Sequence, residues 1–214
     1  HYSRGIAEPG SRFGTVDAML GAPVPPPVVA VIGAGTMGAA IAALLHDRGF
    51  AVTLVDLDHA RLADALARLR AADPPALDFP ERADDLPRLA LGEADALLAR
   101  ADWVIEAVPE RADVKAALYS RIAPFLGPDT VLTTNTSALS VAGLATGLPP
   151  GLRSRFFGVH FFNPPRALDL VETIGHPDLL PGLRERVEAW TDGPLGKRIV
   201  RAHDRPGFIA NRIG

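Results

Sequence analysis

The 214-residue sequence predicts an α/β fold, a doubly wound and mostly parallel sheet flanked by helices. Three observations carry that prediction. Short, continuous apolar runs recur along the chain, as expected of strands buried on both faces. Segments with helical periodicity alternate with them. The first strand and the first helix are joined by a turn holding three glycines.

In chain order, residues 1–27 are irregular, with glycines, prolines and mixed charges, and read as a leader or linker with a short helix near 16–20. Residues 28–32 form the first buried strand, 33–38 a turn and 39–48 a helix, with Gly49 as its stop. Residues 51–55 return as a second strand, closing a parallel βαβ unit. A helix over 59–70 places Leu62, Leu66 and Leu69 on one face. The proline-rich stretch 71–87 reads as loop. A short strand at 89–91, a helix at 93–99, a strong strand at 103–107, a helix at 114–125, a strand at 130–134 and a short helix at 141–145 follow. Strands at 156–162, 169–174 and 197–201, with a helix at 183–190 between the last two, complete the pattern. Residues 28–214 are expected to be one domain.

Bulk composition narrows the function. Hydrophobic residues make up 48%, enough for a packed core. The charge balance, 22 basic against 25 acidic residues, contains no long basic run, so nucleic acid is not the expected partner. The absence of cysteine excludes disulfides, thiolate zinc sites and a cysteine nucleophile, and fits a cytoplasmic protein; no metal site is expected. Residues 18–45 carry no charge and are long enough to suggest a membrane span. Pro23, Pro25, Pro26 and Pro27 break the start of that stretch, and Gly33, Gly35 and Gly38 its middle. A strand, a turn and a buried helix account for it better.

Gly33-Ala34-Gly35-Thr36-Met37-Gly38 is a G-x-G-x-x-G motif between a buried strand and a helix, the context its mechanism requires. Gly33 serves the tight turn, Gly35 lets the backbone approach a pyrophosphate, and Gly38 lets helix and strand pack closely. Thr36 and Met37 open the helix whose free N–H groups face the phosphates. Asp56, at the end of the second strand, is placed to accept hydrogen bonds from the adenosine ribose and to repel the extra phosphate of NADP; Arg61 nearby weakens that preference. The plainer reading is that Asp56 or Asp58 caps the next helix. The sheet is therefore expected to be Rossmann-type and the cofactor NAD.

The second half carries Thr134-Asn135-Thr136-Ser137, then His160 inside an aromatic run ending Asn163-Pro164-Pro165, then Glu172. Oxidation of an alcohol needs a base near neutrality and a carboxylate to orient it, and His160 with Glu172 can supply both. On these residues alone, a buried and merely hydrogen-bonded histidine explains His160 as well. Each of the other candidates has a plainer reading: Ser137 as a turn or cap residue, Asn163 as a turn before proline, Glu110 and Lys115 as a solvated helix pair, and Asn211 as a cap. Glu106 reads as structural, and Trp103 and Trp190 as core.

The segments VIGAGTMG, ADWVIEAVPE with Lys115, TNTS, HFFNPP with Glu172, and DRPGFIANR occur in the order seen in the 3-hydroxyacyl-CoA dehydrogenases, and the chain from residue 28 onward resembles that family's N-terminal NAD-binding domain. The resemblance implies a role for each matching position. His160 is the general base and Glu172 its carboxylate partner. Ser137 contacts substrate and the histidine network, Asn163 supports the site's hydrogen bonds, and Asn211 helps polarise the substrate oxygen. Glu110 and Lys115 lie near the cofactor's ribose and nicotinamide. The implied reaction converts L-3-hydroxyacyl-CoA and NAD to 3-ketoacyl-CoA and NADH in fatty-acid β-oxidation. A non-CoA hydroxy acid on the same scaffold, of the λ-crystallin sugar-acid type, and a non-catalytic NAD(H) sensor are the alternatives.

Two features depart from the family pattern. Many members carry a long lysine-rich helical arm after the second strand that helps hold CoA, whereas residues 71–87 are short, proline-rich and lysine-free. The family's C-terminal helical domain, which closes over the acyl group and often makes a homodimer, is expected to lie outside this chain. The phrasing VIEAVPER, HFFNPPR and FIANRIG also resembles bacterial fusions of this dehydrogenase with an enoyl-CoA hydratase.

Overall fold

A computed structural model describes residues 26–78, 80–205 and 207–209. Eight strands form one sheet in the order β3-β2-β1-β4-β5-β6-β7-β8. They are β1 (Val28–Ile32), β2 (Ala51–Asp56), β3 (Arg88–Ala90), β4 (Trp103–Glu106), β5 (Val131–Thr134), β6 (Phe156–Phe161), β7 (Leu170–Ile174) and β8 (Arg198–Ala202). The first six run parallel. Strand β7 is antiparallel to β6 and parallel to β8.

Successive residues of one strand face opposite sides of a sheet, and here both sides are covered. Val29, Val31, Trp103 and Ile105 pack with α1 (Thr36–Asp47), α2 (His59–Arg70) and α7 (Leu183–Asp192). Ala30, Ile32 and Val104 pack with α3 (Asp95–Arg100), α4 (Ala112–Ile122) and α5 (Val141–Ala145) on the other side. Double burial is why these strands read as continuous apolar runs. The stretch 28–45 is accordingly a strand and a helix of this sheet, and no helix among the described residues is long and apolar enough to cross a membrane.

Helix α2 follows the expectation residue for residue: Leu62, Leu66 and Leu69 are buried, and the Asp58 carboxylate accepts the Arg61 N–H at 2.9 Å as its N-cap. Trp103 and Trp190 are core, stacked at 6.0 Å between ring centroids. Two segments differ from expectation. Within 71–87, Pro80–Asp85 form a 3-10 helix, and Leu77, Ala83 and Leu86 are buried beneath α2. Proline suits the first turn of a helix, so its presence did not exclude one. A four-residue helix, α6 (Pro150–Arg153), begins the same way. The short helix expected near 16–20 lies outside the described residues.

The connection from β1 crosses to β2 on one side, and the next pairing of β1 is with β4 on the other. Strand order reverses there, which opens a crevice beyond the carboxyl ends of β1 and β4. Most of the candidate site residues line that crevice.

Candidate active site

A cleft of about 1000 Å³ runs along this end of the sheet. Gly33, Gly35, Thr36, Met37 and Asp56 line one part of it; Glu110, Asn135, Ser137, His160 and Asn163 line the other. Residues far apart in sequence thus share one cavity.

The three motif glycines do different things. Gly33 has φ +109°, and a Cβ there would come within 2.6 Å of the Ala107 carbonyl oxygen. A Cβ on Gly38 would sit 1.7 Å from the Gly33 carbonyl oxygen, so only glycine lets α1 close on the turn. A Cβ on Gly35 would meet nothing within 4 Å. Packing therefore does not explain Gly35, whose bare backbone faces the cleft. No acidic residue stands in the first turn of α1 and no side chain caps it. A diphosphate fits this cradle: it needs close backbone approach, free helix N–H groups and no acidic side chain in the helix's first turn.

Asp56 faces the same cradle. Its Oδ2 accepts the Ala34 N–H at 2.5 Å and its Oδ1 the Leu57 N–H at 2.6 Å. Asp58, not Asp56, caps α2, which leaves Asp56 in the cleft wall with lone pairs to spare. Arg61 Nε lies 3.8 Å from Asp56 Oδ1.

At the other end, β6 and β7 pair in a register that sets His160 directly opposite Glu172. His160 Nδ1 is 2.8 Å from Glu172 Oε2, and both side chains are buried. The second oxygen of Glu172 accepts the Ile209 N–H at 2.9 Å. Phe162 and Phe208 flank the imidazole, with centroids at 4.6 and 6.0 Å. With Nδ1 committed to the carboxylate, the ring nitrogen left for chemistry is Nε2.

Glu110 ties the loop after β5 to the loop after β4. Its Oε1 accepts the Thr136 hydroxyl, the Ser137 N–H at 2.9 Å and the Ala138 N–H at 3.0 Å. Partial burial alone would raise its pKa; the Thr136 hydroxyl, the Lys115 charge and the two N–H groups outweigh it and hold the carboxyl below the ordinary carboxylate range. Lys115 is 1% exposed, so it is no solvated partner. Its Nζ lies 2.6 Å from Glu106 Oε1 and 3.4 Å from Glu110 Oε2, behind the cleft wall and not in it. Asn163 lines the cleft on the exposed turn after β6. Asn211 lies outside the described residues.

Sequence reading overlooked the network around Glu106. That carboxylate is fully buried at the end of β4 and receives Lys115 Nζ, Tyr119 Oη and Thr134 Oγ1 at 2.6, 2.7 and 2.7 Å, and the Val108 N–H at 2.9 Å. Burial, and then the Glu106 charge, push the Tyr119 phenol well above its usual pKa, so it stays a neutral donor. Asn135 was passed over too; its Oδ1 accepts the Phe161 N–H at 2.8 Å and links β5 to the histidine strand. The available signal was an acid closing an otherwise apolar strand, WVIE, with a lysine on the next helix.

A glycine-loop cradle and a carboxylate-oriented histidine thus share one cleft, the arrangement expected of a nicotinamide-dependent dehydrogenase domain. Comparisons with known proteins give the family. The model for "3-hydroxyacyl-CoA dehydrogenase, NAD binding domain" matches residues 28–205, and the chain belongs to that family, with NAD as its cofactor. The 3-hydroxyadipyl-CoA dehydrogenase of Escherichia coli K12 is 37% identical over 194 residues, covering 86% of this chain and 39% of that protein. The crystal structure of 3-hydroxybutyryl-CoA dehydrogenase from E. coli K12 superposes with a TM-score of 0.76 at 36% identity, over 89% of this chain and 41% of the other. The 5-formyl-3-hydroxy-2-methylpyridine 4-carboxylic acid 5-dehydrogenase, an NAD+-dependent dismutase, superposes with a TM-score of 0.74 at 27% identity, over 86% of this chain and 60% of the other. The chain spans less than two thirds of each.

Proposed function

We propose that this chain is the cofactor-binding and base-bearing half of an enzyme that oxidises L-3-hydroxyacyl-CoA to 3-ketoacyl-CoA in cytoplasmic fatty-acid β-oxidation. The single observation that carries the reading is the 2.8 Å contact of His160 with Glu172 at the cleft that also holds the glycine loop. NAD, held by the glycine loop and Asp56, would supply the hydride acceptor for the carbinol carbon. The protein's own part is proton transfer and alignment. His160 Nε2 takes the hydroxyl proton; Glu172 fixes the Nδ1–H tautomer and stabilises the imidazolium that results. Ser137, which lines the same cleft, contacts the substrate, and Asn163 supports the site's hydrogen bonds; the role the family pattern gives Asn211 is to help polarise the substrate oxygen. The helical domain of longer relatives completes the acyl pocket and the homodimer.

The test is NADH fluorescence titration of this chain followed by acetoacetyl-CoA, with the same assay in the longest available form of the protein. Saturable binding and NADH consumption in either form support the reading. Tight NADH binding with no consumption in the longer form would sink it.

One observation favours a second substrate class. The segment 71–87 folds inward through Leu77, Ala83 and Leu86, and Arg82 Nε is bound to Asp85 at 2.7 Å, so it offers little to a CoA phosphate. A non-CoA hydroxy acid would then be the substrate, and consumption of NADH with free 3-keto acids but not with their CoA esters would favour it.

A further inference from the structure

The peptide that presents Gly35 to the cleft is held by a side chain outside the motif. Arg68, in the last two turns of α2, donates from Nη2 to the Ala34 carbonyl at 2.6 Å. On the other side of Ala34, its N–H is taken by Asp56. Each bond fixes a different peptide plane. The Gly33–Ala34 plane has its N–H on Asp56 and its carbonyl against Gly38. The Ala34–Gly35 plane has its carbonyl on Arg68. A trans peptide points its C=O and N–H in opposite directions, so anchoring the Ala34 oxygen on Arg68 turns the Gly35 N–H away from Arg68; Gly35 itself lines the cleft, and a Cβ on it would meet nothing within 4 Å.

We propose that Arg68 is a positioning residue of the cofactor site, setting the Gly35 N–H for the diphosphate and placing a fixed positive charge behind it. The inference rests on the dinucleotide reading of the glycine loop and adds to it a residue that no glycine pattern contains. Arg61 and Arg68 are seven residues apart, two turns, and so share a face of α2. They divide the work. Arg61 leans on Asp56 and Asp58 at the ribose end. Arg68 binds a carbonyl, so its charge is not cancelled by that contact and adds to the helix terminus facing the phosphates.

The experiment compares the unsubstituted protein with R68M and R68K, titrated with NADH, ADP-ribose and adenosine, with thermal melting of each unliganded protein. R68M is expected to weaken NADH and ADP-ribose about tenfold, the effect of losing one charge-assisted hydrogen bond. Adenosine, which has no diphosphate, is expected to bind unchanged, and R68K to recover part of the loss because an ammonium can also donate to the carbonyl. NADH affinity within twofold in R68M overturns the proposal while leaving the dinucleotide site standing. An equal loss for adenosine overturns it too, since Arg68 would then merely support the fold. Failure of the unsubstituted, folded protein to bind NADH removes the dinucleotide reading and this inference together.

Discussion

The two ends of the cleft are built by opposite means. The cofactor end is made of backbone, and what specifies it is absence: no Cβ at Gly33 or Gly38, where one would strike backbone oxygen, and none at Gly35, where one would fill the cradle. The end that carries His160, the proposed catalytic end, is made of side chains, and what specifies it is mutual satisfaction. Glu172 serves His160 and Ile209, Glu110 serves three donors, and Glu106 serves four. The first end should therefore fail when atoms are added, the second when they are removed.

The sharpest break is at His160. Its replacement by alanine removes the proton acceptor and leaves the glycine loop untouched, so turnover in the proposed reaction should fall about 10²–10⁴-fold with NADH affinity within twofold. Steady-state rates beside a fluorescence titration check it; parallel loss of binding would mean the two ends are not separable.

Removal of Lys115 tests the buried network. Lys115→Met leaves Glu106 without its cation in a site closed to water, and about 3–5 kcal/mol of stability should be lost by urea unfolding, the cost of stranding a buried charge. Adding Glu106→Gln should restore part of it, because the stranded charge goes as well. If the single variant costs no more than an exposed pair would, the network is ornamental to the fold.

Added atoms separate the glycines. Gly38→Ala forces α1 away from the turn and should cost about 1–3 kcal/mol, visible as a lower melting temperature. Gly35→Ala meets no protein atom and should melt like the parent while NADH binding weakens by about tenfold, roughly 1.4 kcal/mol. Equal melting losses at both positions would show that Gly35, too, is there for packing.

This contrast explains what was legible in the sequence. The cofactor end lies within one βαβ unit, and its glycines carry their geometry in their identity, so loop, helix and Asp56 could be read locally. Helix α2 was readable because its cap and leucine stripe are local as well. The His160 end depends on register: the sequence offered Glu172, on the following strand, as a carboxylate that could orient His160, and the family resemblance favoured that over a merely buried histidine, but only the β6–β7 register sets the two opposite each other. Glu106 was harder, since its partners come from α4 and β5 and a lone strand-end acid has no periodicity. Arg68 was hidden because an exposed arginine on an amphipathic helix reads as solvated surface until the loop is seen beneath it.

The smallest effect lies where the two loops meet, at Glu110. Its folded pKa is lowered by Thr136, Lys115 and the 137–138 backbone despite partial burial. A lowered carboxylate stabilises the fold at pH values above its unfolded pKa, and that contribution disappears as pH falls through the folded value. Glu110→Gln keeps the shape and drops the charge. The parent should therefore be more stable than the variant at neutral pH by a constant margin, and the margin should close below about pH 4.5, the ordinary range for this carboxyl. The side chain is more than a third exposed, so solvent screens the ion pair with Lys115 and keeps the margin small. Melting temperatures of both proteins from neutral to acid pH measure it. A margin that persists unchanged into acid would assign Glu110 to hydrogen-bonded shape alone, and the loop it holds would then belong with the backbone-built end of the cleft.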